Sequence, residues 1–190
     1  MAKAPHPRIA IVSHPNSGIA HSSYSLASAL AGLTTKNPQE IFLLINKGFS
    51  CDQIDKLKII KIFSRTRRLP IELFHFSLLL LTKKFDVVHF QNPLKYLFVT
   101  WVFIHLSRLL GSRVIYTAHD VLPHYAHNYH RILMKQIYKS ANSIIAHSEE
   151  NYHSIRKLAG NLNNIDIIPH GVYDIFTQGN KISQERAKEY

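Results

Sequence analysis

The chain has 190 residues, long enough for one domain with a full core and too short for two well-developed α/β lobes. Hydrophobic residues make up 46% of it, as in a globular protein, and a single cysteine, Cys51, excludes an internal disulfide and a cysteine-based zinc site. Lysine and arginine number 23 against 12 acidic residues, and the formal charge of +11 asks for an anionic partner: nucleic acid, a phosphorylated metabolite or an acidic membrane surface.

The first residues, Met1 to Arg8, contain no apolar signal segment, so export is not expected, and the lone cysteine agrees with a reducing compartment. Arg8 to Ser13 (RIAIVS) reads as a first central strand. A turn-prone His14-Pro-Asn-Ser-Gly18 follows, and then Ile19, Leu26, Ala27, Leu30 and Ala31 recur at helical spacing, with Gly32 as the stop. Free amides at such a helix start favour a phosphate, which makes Ser17 and Gly18 candidate contacts. A plain tight turn is the alternative, because the glycine-rich dinucleotide fingerprint is missing.

Ile41 to Ile45 is a second strand, and Leu57 to Phe63, with Lys58 and Lys61, is a third nearer an edge. Ser64 to Pro70 is a basic turn carrying Arg65, Arg67 and Arg68. It leads into an apolar helix over 71–81 that ends at Lys83 and Lys84. Cationic flanks around an apolar helix suit an anionic membrane face, and a crossover helix buried on a sheet gives the same pattern. The preferred reading buries the apolar face and leaves the basic ends at the surface.

Asp86 to Phe90 (DVVHF) is a fourth strand ending on Gln91-Asn92-Pro93. Residues 94–110 form an apolar helix around Trp101. Lys95, Thr100, His105, Ser107 and Arg108 interrupt it, and it falls short of the ~20 clean apolar residues of a membrane span, so a buried or partly membrane-facing crossover helix is expected. Val114 to Tyr116, after Gly111, is a buried strand that stops on His119 and Asp120. Ligands of open α/β sheets sit at the carboxyl ends of strands. An imidazole titrating near neutrality, oriented by a neighbouring carboxylate, is where chemistry is expected. The plainer reading has His119 capping a turn.

His124, His127 and His130 are spaced by three, which puts them near one helical face and raises the question of a metal. No carboxylate follows at ligand spacing, so they read as a polar helix start, with Ile132, Leu133, Ile137 and Tyr138 as the apolar face. Ser143 to His147 is another short strand. Ser148 caps a helix whose first turn holds Glu149 and Glu150, where the dipole favours them, and the helix runs to about Leu158. Ile165 to Ile168 is the last strand, closed by Pro169-His-Gly-Val172. From Thr177 the chain is polar.

Strands separated by helices of this length predict an α/β fold, a doubly wound, Rossmann-like parallel sheet with helices on both faces. The polar groups at the strand ends, Ser17-Gly18, Gln91-Asn92, His119-Asp120, Ser148 and His170-Gly171, are expected to gather along one rim and form the site.

Five stretches, taken together, resemble the amino-terminal domain of the retaining GT-B glycosyltransferases of family 4. They are Asn16 to Leu30, Asp86 to Gln91, Val114 to His124, Ala141 to Ser148 and Ile165 to Val172, and they span nearly the whole chain. The resemblance implies one half of a GT-B architecture, with residues 1–176 as the domain and 177–190 as the start of a linker toward a carboxyl-terminal domain not included here.

By that resemblance, Gly18 lies near the donor phosphates, with Ser17 standing where a first glycine is common and adding a side chain at that approach. His119 matches the strand-end histidine at the reacting centre, and Asp120 holds it. His170, where asparagine is usual, and Gly171 belong to the stretch before the interdomain linker. Gln91, Asn92, His124, Ser148, His170 and Gly171 complete the set of donor-phosphate or acceptor contacts.

The implied activity is transfer of a sugar from a nucleotide-sugar, the co-substrate, to a glycan or lipid-linked acceptor, without a metal or other cofactor. This chain supplies the acceptor half and is expected to be inactive without the missing domain or a partner subunit. Arg65, Arg67, Arg68, Lys83 and Lys84 are expected to seat it on an anionic bilayer, with Phe74, Phe76 and Leu78 to Leu80 as contacts, peripheral to the cytoplasmic face of the membrane. The alternative is a non-catalytic subunit that docks a catalytic partner at the membrane. Nucleic-acid binding is disfavoured because the basic residues sit at helix ends instead of interleaving with aromatics on one face.

Overall fold

Residues Ile41 to Asn46 are all buried, with no polar face to turn outward. Such a strand needs cover on both sides, and that requirement organises the rest of the chain. The computed structural model describes residues 6–13, 18–33, 39–64, 69–94, 96–123 and 126–171. Seven strands form one sheet: β1 (Arg8–Val12), β2 (Glu40–Asn46), β3 (Leu57–Phe63), β4 (Val87–Phe90), β5 (Arg113–Ala118), β6 (Ser143–Ala146) and β7 (Ile165–Ile167). The helices are α1 (Gly18–Leu33), α2 (Leu69–Lys83), α3 (Leu97–Leu109), α4 (Asn128–Ser140) and α5 (Glu149–Ala159).

The strand order is β3-β2-β1-β4-β5-β6-β7 and every pairing is parallel. The chain winds outward from β1 to β3, crosses back through α2, and winds outward again from β4. The reversal opens a crevice at the carboxyl ends of β1 and β4, where ligands of such sheets bind. β3 lies at an edge, as its lysines suggest.

Alternate residues of β2 belong to different cores. Phe42 and Leu44 join the larger cluster, which takes in α2, α3, α4 and α5, whereas Ile41, Leu43 and Ile45 pack with Ala20, Ala27 and Ala31 of α1. In the larger cluster the Phe76 ring of α2 lies 5.9 Å from Phe63, 6.3 Å from Phe90 and 4.6 Å from Phe103. Tyr138 of α4 meets Tyr116 of β5 edge to face at 5.7 Å. These aromatic contacts place the helices that follow β3 on one side of the sheet. The opposite side is thinner than expected. Among the described residues it is covered by α1 with Phe49, Cys51 and Ile54 over β1 to β3, and Ile115 of β5 and Ile145 of β6 remain partly exposed.

Element ends follow local chemistry. Gly111 and Gly160 have φ of +88° and +95°, conformations that end α3 and α5 at no steric cost. Ser148 caps α5, accepting a hydrogen bond from the Asn151 amide at 3.2 Å. Gly32 does not stop α1, which runs through it to Leu33.

At the amino-terminal rim the strands are tied by charge. Arg8 donates through Nε to Glu40 at 2.6 Å and through its amide to Asp86 at 2.9 Å, and Lys58 reaches the other Glu40 oxygen at 2.7 Å. The carboxyl rim carries Gln91, Asn92, His119 and Asp120 instead.

The apolar sequence of α2 is only partly explained by the core. Phe76 and Leu80 are fully buried, so neither is available to a membrane, contrary to expectation. Ile71, Phe74, Leu78 and Leu81 form a stripe along the outer face and are 46% to 65% exposed. The stripe ends at Lys83 and Lys84, both exposed at the amino-terminal rim. They stand a helix length, about 22 Å, from the start of α2. Ser17, Arg65, Arg67, Arg68, His124 and everything after Gly171 lie outside the described residues. Among the described residues no helix is long and apolar enough to cross a membrane.

Candidate functional site

The parallel register decides which side chains meet. Ala118 of β5 pairs with Ala146 of β6, and Ala146 pairs with Ile167 of β7. His119 and His147 are therefore the first residues beyond two adjacent strands at the same level. Their rings stand 4.8 Å apart. The chain leaving β7 continues the ladder through the Ile168 amide, 2.8 Å from the Ala146 carbonyl, and brings His170 back over the same rim. Its ring stacks on His147 with centroids 3.7 Å apart and lies 5.2 Å from His119.

A polar relay runs behind His119. Gln91, just past β4, places Oε1 3.4 Å from His119 Nε2 and Nε2 3.0 Å from His89 Nε2, which is also 2.7 Å from the Thr117 hydroxyl. An amide oxygen only accepts, so His119 carries its proton on Nε2 and leaves Nδ1 as an acceptor. Burial pushes His89 down to about 4. It does the same to His119, also to about 4, assisted by His147, His170 and His89. His170 is lowered by burial and then by His147. These imidazoles are neutral at physiological pH.

Between α1 and the tips of β4 and β5 lies a cavity of about 190 Å³, lined by Ile19, Asn92, Tyr116, His119, Asp120 and Pro123 among others. On two of the residues that line it, Tyr116 Oη and Asn92 Oδ1 are buried without a hydrogen-bond partner among the described residues. An unmet buried polar atom costs about 1–3 kcal/mol, so two of them beside a cavity favour a ligand that brings hydroxyls within their reach. The volume is below the roughly 300 Å³ of the smallest drug-sized pockets and matches a single sugar-sized group better than a whole nucleotide-sugar.

Several sequence candidates thus meet: Asn92, His119 and Asp120 at the cavity, Gln91 behind His119, and His170 beside it. Asp120 shares the cavity, but among the described residues it makes no hydrogen bond to His119, whose partner is Gln91. A carboxamide replaces the expected carboxylate as the group that orients the ring. Ser148 is exposed and its hydroxyl serves the α5 cap. Gly18 opens α1 and Gly171 follows His170, both exposed, and a Cβ at either would meet nothing within 4 Å.

His147, His89 and Thr117 were not singled out from the sequence. One signal for His147 is present: Thr117-Ala-His119 and Ile145-Ala-His147 place a histidine identically at the ends of two strands. His147 donates from Nδ1 to the Ile168 carbonyl at 2.8 Å, and its Nε2 is buried without a hydrogen-bond partner among the described residues.

Comparison with known proteins agrees with this architecture. The family described as Glycosyltransferase Family 4 matches residues 17–174. Among solved structures, the chain is similar to the Medicago truncatula protein UGT71G1 complexed with UDP-glucose, with a TM-score of 0.56 and 11% identity over 97% of this chain and 56% of the other. It is also similar to an Escherichia coli structure described as trehalose-6-phosphate bound with UDP-2-fluoro glucose, with a TM-score of 0.50 and 11% identity over 96% of this chain and 53% of the other. The chain spans about half the length of these neighbours. No curated protein is matched by sequence.

Proposed function

This chain belongs to Glycosyltransferase Family 4, and from that premise we propose that it forms the acceptor-binding half of a retaining transferase that moves a sugar from a nucleotide-sugar to a lipid-linked or membrane-associated glycan. The observation that carries the reading is the cavity at the carboxyl rim. It sets a neutral His119, oriented by Gln91, beside the unmet Tyr116 hydroxyl and Asn92 carboxamide oxygen.

In this reading His119 Nδ1 accepts a hydrogen bond from a sugar or acceptor hydroxyl and positions it, while the Asn92 and Tyr116 groups satisfy further hydroxyls. Gly18, with free amides at the start of α1, faces the departing diphosphate, whose charge the helix dipole stabilises. The nucleotide is held mainly by a further domain or partner subunit, and the transfer needs no resident metal. The test is sugar release from UDP-glucose and related donors onto lipid-linked acceptors. It compares residues 1–190 alone with the same chain joined to a donor-binding domain. Transfer is expected only in the joined form and is lost with His119→Ala. Transfer that survives His119→Ala unchanged overturns the assignment.

The exposed α2 stripe favours a second role for the same domain, seating it at the cytoplasmic face of an anionic membrane. Four apolar side chains flanked by Lys83 and Lys84 suit the interface between headgroups and acyl chains. Flotation with vesicles containing anionic lipid, and its loss in the Phe74→Ser, Leu78→Ser variant, tests docking separately from transfer. If docking remains when His119→Ala has no effect on transfer, the chain is a recruiting subunit and not the catalytic half.

A further inference from the structure

We propose that Nδ1 of His119, Nε2 of His147 and an imidazole nitrogen of His170 form a binding site for a zinc-class divalent transition cation at the carboxyl rim of the sheet. The inference does not rest on the transfer reading; it comes from the arrangement of the ligands. Among the described residues these three are the one group whose ligand atoms could gather on an ion, and those atoms all lie within 4.8 Å of one another.

Each ring is prepared differently. His147 spends Nδ1 on the Ile168 carbonyl, and its Nε2 is buried without a hydrogen-bond partner among the described residues. A metal-bound histidine characteristically donates its other N–H to a backbone carbonyl, which fixes the tautomer and aims the lone pair. His119 shows the same arrangement with the nitrogens exchanged, since Nε2–H is engaged by Gln91 and the lone pair stands on Nδ1. His170 is exposed, and its ring already stacks on His147.

Nitrogens at about 2.0 Å from a tetrahedral ion stand about 3.3 Å apart, so atoms that already lie within 4.8 Å of one another close on an ion by movements of at most about 1.5 Å. Three imidazoles on a partly exposed rim leave a fourth position for water, a composition typical of zinc sites that are not purely structural. An imidazole-only set selects zinc, copper, nickel or cobalt over magnesium and calcium, which prefer oxygen. Because His119 Nδ1 is both the ligand and the acceptor for a substrate hydroxyl, the cation-bound and hydroxyl-bound states of His119 exclude one another.

The experiment uses the untagged 190-residue chain, stripped with chelator, and titrates it with Zn²⁺ by calorimetry and with Co²⁺ by visible absorption, with Mg²⁺ as the comparison. The expected result is one Zn²⁺ per chain, the intense visible bands of four-coordinate Co²⁺, a rise in Tm on adding Zn²⁺ and no response to Mg²⁺. His147→Gln and His170→Ala are each expected to weaken Zn²⁺ binding by roughly tenfold or more. His170→Ala alters an exposed side chain and should keep the metal-free Tm, so it remains informative even if His147→Gln folds poorly. The His127→Ala, His130→Ala variant should bind as the parent does. Absence of stoichiometric binding, or binding that persists in His170→Ala and disappears in His127→Ala, His130→Ala, overturns the proposal.

Discussion

The side-chain oxygen of Gln91, at the tip of β4, lies 3.4 Å from Nε2 of His119, at the tip of β5. Two neighbouring parallel strands thus deliver an acceptor and a donor to the same level, and the contact assigns the tautomer of the ring at the cavity. Gln91→Leu keeps roughly the same volume and removes the acceptor. In an enzyme reconstituted with its donor domain, kcat is expected to fall by about tenfold with KM little changed, because a ring free to turn is less often in place. Nitrogen-15 NMR of the histidines should show His119 losing its single-tautomer signature. A tautomer signal unchanged in Gln91→Leu would falsify the positioning role.

The buried, unmet hydroxyl of Tyr116 gives a prediction with opposite signs for stability and function. Tyr116→Phe removes a polar atom that the folded protein leaves unsatisfied, so unfolding stability in the absence of substrate should hold or rise by about 1 kcal/mol. Transfer should become slower or acceptor binding weaker, since the group that would meet a substrate hydroxyl is gone. Denaturant unfolding and steady-state kinetics on the same preparation read both effects.

Acid should destabilise the fold through His89 in chelator-treated protein. Its folded pKa is about 4, against 6.5 for an exposed histidine, so the unfolded chain takes up the proton first as pH falls. The contribution is fully present above pH 6.5, is lost progressively toward pH 4 and changes little below that, for a total of about 3 kcal/mol. Glu40 adds a second loss at lower pH. Its hydrogen bonds from Lys58 and Arg8 hold its carboxyl below the ordinary value, so that stabilisation lasts until the pH falls through its folded pKa. Urea midpoints measured from pH 7.5 to 4 should trace the first decline, and His89→Leu should make it shallower, leaving the share of His119, which is lowered in the same way.

Two phenylalanines two positions apart on α2 should respond in opposite assays. Phe76 is fully buried against Phe63, Phe90 and Phe103, and Phe76→Ala is expected to cost about 3–5 kcal/mol of stability. Phe74 lies on the outer stripe and is 65% exposed, so Phe74→Ala should leave stability within about 0.5 kcal/mol and reduce retention on anionic vesicles. Thermal unfolding and vesicle flotation separate the two.

The elements themselves were legible because each carries a local signal. Leu57–Phe63 was delimited to the residue by β-branched and apolar runs between polar turns, and the alternation of such strands with longer helical segments implied the parallel sheet before any contact was known. His119 stood out for the same reason, as a titratable group immediately past a buried strand. What one chain position cannot encode is its neighbour across the sheet. The meeting of His119, His147 and His170 depends on the register of Ala118, Ala146 and Ile167, a property of three strands at once, whereas spacing along the chain draws attention only to positions 124, 127 and 130, which read as a polar helix start. The exchange of Asp120 for Gln91 as the partner of His119 has the same origin, since the nearest residue in sequence need not be the nearest across a ladder. Hydrophobicity likewise marked α2 as apolar without saying which side faced the sheet. Only packing against Phe63, Phe90 and Phe103 separated the buried Phe76 from the exposed Phe74. Sequence alone determined the elements and the strand-end position of the reactive histidine, because those follow from local steric and solvation preferences; tertiary structure decided the company that histidine keeps, because register and crossover bring distant residues to one rim.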